Sequence, residues 1–267
     1  MKLDKNVEVH PGSPNTLVYE GRIVIDQGGK NSSLNLEAEV QLATHGHMDH
    51  IAGLLGGKIK FLPPEDMWAL SLLGRRAMTY GFSSRSSSVF SYDLVKEPIT
   101  DSISTSLPSE IQPVKLPGHT PGHTGYIVGD TLYAGDAFFG SKVLEGFVFP
   151  FYVDFWSAME SLNLVKELLR SLDNVVISHG PVYEKKKMEE LLEFNVRYGE
   201  KLVGWVKEAI SQGGTAEEVV VRVMERTGRG NELKPVNIIL NSVTAKSILS
   251  QIAREIRVES RGVVYLG

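Results

Sequence analysis

The sequence predicts an α/β fold in which several neighbouring strands run antiparallel, followed by a helical appendage. Two observations carry this. Over the first 180 residues short β-prone runs alternate with helical stretches, and such alternation layers helices over sheets. All seven histidines (His10, His45, His47, His50, His119, His123 and His179) lie before residue 180, and the last third of the chain has none. We therefore read 1–182 as the domain that carries the chemistry and 183–267 as a helical, winged-helix-like region.

The elements follow in order. Leu17-Val18-Tyr19 and Ile23-Val24-Ile25 are β-prone runs around Glu20-Gly21-Arg22, a hairpin pattern. Val40 to Thr44 reads as a buried strand that ends at a cluster of histidines, and Ile51 to Leu55 as the start of a helix with Asp49 near its N-terminus. Lys58 to Leu62 is a further strand. Pro63-Pro64-Glu65-Asp66 places prolines and acids in a first helical turn, so a helix is expected to about Leu73. Phe82 to Ser88 is a loop by composition. Ile111 to Leu116 is a strand, Gly125 to Ala134 two strands turning at Gly129-Asp130, Phe155 to Leu172 a helix, and Val175 to Ile177 the strand before His179.

The tail opens with an amphipathic helix, Tyr183 to Ser211, ended by Gly213-Gly214. Thr215-Ala216-Glu217-Glu218 is an N-cap followed by acids and opens a second helix through Arg226. Val236 to Glu255 is a third. Two β-prone runs flanking Ser260-Arg261-Gly262 complete a winged-helix outline.

Composition sets the outer bounds. A hydrophobic share of 42% in 267 residues suits a globular chain with a real core. The net charge of −4 argues against a general nucleic-acid coat. With no cysteine there is no disulfide, thiolate metal site or cysteine nucleophile, so any metal is held by His and carboxylates, as suits zinc, manganese or iron. The first residues lack a signal-peptide core, and no run approaches the roughly 20 apolar residues of a membrane span. A cytoplasmic protein without membrane contact is expected.

The chemistry concentrates in Thr44-His45-Gly46-His47-Met48-Asp49-His50. At the end of an extended strand, residues two apart point to the same side, so His45 and His47 can reach one metal. Asp49 and His50, beyond the turn, can serve a second. Imidazole and carboxylate are the usual ligands of catalytic zinc. A His-rich polar loop is the bland alternative, and with seven histidines in the chain a chance gathering of three beside an aspartate is rare.

This His-x-His-x-Asp-His run resembles that of the metallo-β-lactamase superfamily. So do Asp26-Gln27-Gly28 after the opening hairpin, Leu116-Pro117-Gly118-His119-Thr120-Pro121-Gly122-His123, Ala134-Gly135-Asp136 and Ser178-His179-Gly180. The match spans about residues 10–182, and the outline is most similar to the glyoxalase-II-like group. The resemblance implies a four-layer αββα sandwich. It also implies that His45, His47 and His119 bind one divalent cation, that Asp49, His50 and His179 bind another, and that Asp136 bridges them. A carboxylate can hold two cations roughly 3.5–4 Å apart. His123 and Asp26 are expected to support the site rather than ligate. His10 is expected in an exposed loop, and Arg75, Arg76 and Arg85 on a solvated surface or facing an anionic substrate group.

The expected function is a dinuclear metallo-hydrolase, with zinc as the expected metal and iron or manganese as alternatives. A hydroxide bridging the metals, oriented by Asp49, would cleave an ester, thioester or related bond of a small molecule. Two alternatives stand. One is a nuclease of the same fold using the tail, whose 14 Lys and Arg against 12 Asp and Glu leave only a weak footprint for nucleic acid. The other is a mononuclear iron sulfur dioxygenase holding iron through His45, His119 and Asp136. The tail also suits dimer contact or closure of the pocket, the latter together with residues 63–100.

Overall fold

The structure, a computed structural model, describes residues 1–84, 87, 89 and 103–267. Strands β1 (Val7–His10), β2 (Thr16–Tyr19), β3 (Ile23–Ile25), β4 (Val40–Leu42) and β5 (Ile59–Phe61) form one sheet in that order. The first three run antiparallel, and β3, β4 and β5 are parallel. After helix α1 (Leu72–Tyr80), strands β6 (Ile111–Lys115), β7 (Thr124–Val128), β8 (Thr131–Gly135) and β9 (Asn174–Ile177) form a second sheet. It is antiparallel except for the β8–β9 pair. Helices α2 (Ser141–Phe147) and α3 (Phe155–Leu168) lie between β8 and β9 in sequence. The tail is α4 (Lys185–Ala209), α5 (Ala216–Arg226), α6 (Pro235–Ile252) and the hairpin β10 (Glu255–Glu259) to β11 (Gly262–Leu266).

The layering follows from strand alternation, because successive side chains point to opposite faces. Val176 of β9 and Tyr133 of β8 face the first sheet and pack with Ile23, Ile25, Val40 and Leu42. Their neighbours Leu132, Ala134, Val175 and Ile177 face the other way, onto Leu162, Val165 and Leu169 of α3 and its C-terminal turn, and Met188, Leu191 and Leu192 of α4. On the outer face of the first sheet, Ala43, Ile51, Leu54, Leu62 and Ala69 make a smaller cluster. Two sheets packed face to face with helices outside each is the αββα arrangement.

The tail does not stand apart. Leu202, Val206, Val219, Val223, Ile248 and Leu249 share one core with Phe139, Leu144, Phe149, Tyr152 and Phe155. Thr215 caps α5 by accepting from the Glu218 amide, while the Glu218 carboxylate accepts from the Thr215 amide. Among the described residues no helix is long and apolar enough to cross a membrane.

Local differences from expectation have identifiable causes. Ala52–Leu55 forms a single 3-10 turn, not the start of a longer helix, because Gly56-Gly57 ends it with Gly57 at φ +83°. The expected helix after Pro63 is a 3-10 segment, Pro64–Leu70, that breaks at Ser71; the Ser71 side chain then caps α1 by accepting from the Gly74 amide. His10 ends β1 opposite Thr16 and is half-buried, not a loop residue. Arg75 is buried rather than solvated, its guanidinium donating to the Ala69 carbonyl. Arg85 lies outside the described residues.

Candidate metal centre

Four loops at the C-terminal ends of strands bring the candidate ligands together. The segment after β4 carries His45, His47, Asp49 and His50, the β6–β7 connection carries His119, and Asp136 and His179 follow β8 and β9. Inward-facing atoms form two triads, His45/His47/His119 and Asp49/His50/His179, and a third group, His45/His50/Asp136, links them. In the first, His47 Nδ1 lies 3.1 Å from His45 Nε2 and 2.9 Å from His119 Nε2. In the second, His179 Nε2 lies 3.2 Å from both His50 Nε2 and Asp49 Oδ2. Asp136 Oδ2 stands between them, 3.2 Å from His119 Nε2, 3.5 Å from His179 Nε2 and 3.6 Å from His50 Nε2. All seven residues singled out from the sequence therefore meet in one place.

The outer partners fix how these groups point. His45 Nδ1 faces the Thr44 hydroxyl at 2.9 Å, and His50 Nδ1 faces Asp26 Oδ2 at 2.8 Å. His119 Nδ1 donates to the Phe151 carbonyl at 2.6 Å, and His179 Nδ1 faces the Ser13 hydroxyl at 2.7 Å. With one ring nitrogen engaged outward, the other presents its lone pair inward. His123 does not join the triads. Its Nε2 accepts from the Asp136 amide at 2.9 Å and its Nδ1 donates to the Leu116 carbonyl at 2.9 Å, so it orients the carboxylate-bearing loop. A side chain at Gly135 would meet His123 Nε2 at 2.6 Å, and Gly135 also adopts φ +59°, so glycine is required there on both counts.

The donor set fits divalent cations. Lone pairs packed this closely repel unless a cation lies among them, and Asp136 Oδ1 is buried with no hydrogen-bond partner. Protonation follows the same division. Burial, then the neighbouring imidazoles, pushes His45 and His119 well below the usual histidine range, and burial brings His47 to about 4. In the other triad burial opposes charge, but the carboxylates win. Asp49, Asp26 and Asp136 raise His50 well above the usual range, and His179 is raised chiefly by Asp136 and Asp49. Burial alone would raise Asp49, yet His50 and His179 hold it well below the usual carboxylate range. Burial raises Asp136.

Two buried carboxylates tie the loops. Asp26 accepts from the Thr44 amide at 2.7 Å, the Thr44 hydroxyl at 2.7 Å and the Ser178 hydroxyl at 3.3 Å, besides its contact with His50, which is the supporting role expected of it. The sequence does not point to Asp66; in Pro63-Pro64-Glu65-Asp66 it reads only as an acid of a first helical turn. It is fully buried and accepts from the Gly46 amide at 2.8 Å, the Thr120 hydroxyl at 2.6 Å and the Gly122 amide at 2.9 Å. The only signal in the sequence is a second acid beside Glu65, and that does not separate the buried one from the exposed one.

The mouth has an apolar side. The rings of Phe151 and Trp68 lie 5.2 and 6.2 Å from that of His47, and both residues are half-buried. Of the other aromatics after Asp136, Phe138, Phe139, Phe149, Tyr152 and Phe155 are core, whereas Phe147 is exposed. The tail supports this wall from behind: the Thr244 hydroxyl donates to the Pro150 carbonyl and accepts from the Tyr152 amide.

Comparison with known proteins agrees with this architecture. The sequence profile of the family described as Metallo-beta-lactamase superfamily matches residues 42–180. A protein named Hydroxyacylglutathione hydrolase from Buchnera aphidicola is 30% identical over 139 residues, 49% of either chain. Hydroxyacylglutathione hydrolase 1 from Vibrio vulnificus is 27% identical over 192 residues, 67% of this chain and 69% of that one. The chain thus spans about half to two thirds of the length of these curated relatives. The crystal structure of a metallo-beta-lactamase family protein from Thermus thermophilus superposes with a TM-score of 0.65 at 15% identity, over 99% of both chains, a likeness of fold that includes the tail. With its αββα layers, its four-loop cluster of histidines and aspartates, and a family profile covering just over half its length, the chain belongs to the metallo-β-lactamase superfamily.

Proposed function

We propose that the protein is a dinuclear metallo-hydrolase that cleaves an ester or thioester of a small molecule. The observation that carries the reading is the pair of triads with one carboxylate oxygen, Asp136 Oδ2, between them. His45, His47 and His119 would hold one divalent cation, Asp49, His50 and His179 the other, and Asp136 would bridge. When bound, two such cations, zinc by preference for this His and carboxylate set, supply a water acidified to near neutral pH and a Lewis acid for the substrate oxygen.

The protein's own groups do the rest. Asp49 is the one partly exposed carboxylate of the cluster, with its Oδ2 held by His179 at 3.2 Å and His50 at 3.5 Å. It orients the attacking water and takes its proton. Asp26, His123 and the Phe151 carbonyl keep the imidazoles and Asp136 in place, so little reorganisation accompanies reaction. Phe151 and Trp68 offer an apolar surface for the acyl portion and exclude water from that side. No serine or cysteine nucleophile is needed, so no covalent enzyme intermediate forms. The thioester class is favoured by the name of the curated relatives; the glutathione portion is not part of the proposal.

The test is elemental analysis with a substrate panel of thioesters, esters, lactones, a β-lactam and an activated phosphodiester. About two zinc ions per chain and turnover of a thioester support the reading. One iron per chain, with oxygen uptake on a persulfide, would replace it with a dioxygenase. One observation favours a second reading, phosphodiester cleavage. A cleft of about 580 Å³ between the tail and the end of α2 is lined by Arg197, Lys201, Arg226 and Arg229 with Phe194 and Trp205, and by one acid, Glu145. Surface ion pairs to Glu208 and Glu232 occupy Arg226 and Arg229, but exposed pairs of this kind are weak and exchangeable. This reading requires single-stranded nucleic acid to bind at low salt and to dissociate steeply as salt rises; absence of binding removes it.

A further inference from the structure

We propose that Asp66 is a positioning residue that sets the first imidazole triad, and that its influence is confined to one of the two cation sites. The proposal rests on the dinuclear reading above. Its basis is where the three hydrogen bonds to Asp66 originate. The Gly46 amide lies between His45 and His47, the Thr120 hydroxyl follows His119, and the Gly122 amide lies two residues further on. One carboxylate thus joins the two loops, 20 and 54 to 56 residues away, that supply all three imidazoles of the first triad.

Packing makes the clasp tight. A Cβ at Gly122 would meet Asp66 Oδ1 at 2.7 Å, and one at Gly46 would meet Ala69 Cβ at 2.7 Å and the Trp68 ring at 3.1 Å. The segment from Asp66 to Ala69 is therefore moulded against both motif glycines. The chemistry also requires a carboxylate. Three donors converge on two oxygens, Gly46 and Thr120 on Oδ2 and Gly122 on Oδ1. An amide offers one acceptor oxygen, so in Asp66→Asn at least one buried donor faces an NH₂ group. The second triad has separate supports, Asp26 on His50 and Ser13 on His179, and among the described residues the bonds of the Asp66 carboxylate run to Gly46, Thr120 and Gly122.

The test is a titration of the metal-free full chain with Co²⁺, followed by binding isotherm and visible absorption. Wild type takes up two equivalents. In Asp66→Asn one equivalent weakens by about 10–100-fold, the usual cost of losing support behind a ligand; its absorption bands change while those of the other persist. Where Asp66→Asn does not fold, Thr120→Val removes one of the three donors at nearly constant shape and weakens the same equivalent by less. Equal weakening of both equivalents marks general loosening and overturns the proposal, as does no change in either. Those results leave the dinuclear reading standing. Uptake of fewer than two equivalents by wild type overturns both.

Discussion

Where the loops of the two sheets meet, the fold is held by a few directed bonds to buried carboxylates. Asp26 gathers Thr44, His50 and Ser178, and Asp66 gathers Gly46, Thr120 and Gly122. Where α4, α5 and α6 meet residues 139–158, the same chain relies on apolar contact over many side chains. Among the described residues, polar pins from four tail residues cross this second seam: Asn195 on the Phe139 backbone, Tyr198 on Leu144 and Val148, Thr244 on Pro150 and Tyr152, and Ser247 on Phe155 and Trp156. Directed bonds fix positions to within tenths of an ångström, as ligands require, and fail as a unit when one partner goes. Distributed apolar contact is forgiving and weakens by increments. The molecule places the first kind of seam where geometry decides chemistry and the second where only support is needed.

The sharpest way to break the first seam is Asp136→Ala. It removes the oxygen shared between the triads and leaves the raised His50 and His179 facing one carboxylate fewer. Metal content and activity are expected to fall together, activity by on the order of 10³-fold or more, since metal polarisation contributes several kcal/mol to the transition state. Retained activity with full metal content contradicts the bridging role.

Metal removal by a chelator separates the two seams. The loss of ligand linkage should lower the thermal midpoint. Amide exchange should quicken in 44–50 and 116–124, while α4 and α6 keep their protection. Uniform loosening of the whole chain would show that the tail depends on the metal centre as much as the loops do.

The difference between the seams also decides what could be read from the sequence. The histidine cluster was legible because its spacing within one short run already carries the geometry, and the later motifs stand at the ends of short apolar strands. The helices of the tail were legible from periodicity, and Thr215 from its capping pattern. Asp66 was not legible, because its partners lie 20 and 54 to 56 residues away and nothing local distinguishes it from Glu65. β1 and α2 were missed because four and seven residues give too little period to register. The burial of Arg75 was hidden for the same reason as that of Asp66: burial is a property of tertiary packing, not of the local run.

The second seam is broken by cavity formation. Leu202 is fully buried in the shared core, and Leu202→Ala should cost about 2–5 kcal/mol of stability. Denaturant melting measures that loss. Activity per folded molecule should stay near wild type, because Leu202 packs in the shared core and is none of the candidate ligands. A large fall in kcat with intact metal content would mean that the two seams are coupled.

The finest probe of that coupling is Tyr198→Phe. The hydroxyl donates to the Leu144 carbonyl at 3.0 Å and the Val148 carbonyl at 2.9 Å, so one group pins both the C-terminal half of α2 and the residue that follows it. Burial has already pushed its phenol up to about 12, so it stays a neutral donor throughout the working range. Removing it takes this donor from the Val148 carbonyl, while the Leu144 carbonyl keeps the Val148 amide, at a cost of about 1–3 kcal/mol. The ring remains, so the apolar seam persists. Val148 holds φ +66°, a backbone angle that a β-branched residue adopts only when its surroundings impose it. Loss of the pin should therefore release residues 144–149 first, seen as faster amide exchange there. Phe151, three residues beyond Val148 along the chain, is the wall beside His47, so any effect on catalysis should enter through KM for substrates with bulky acyl groups and leave kcat for small ones unchanged.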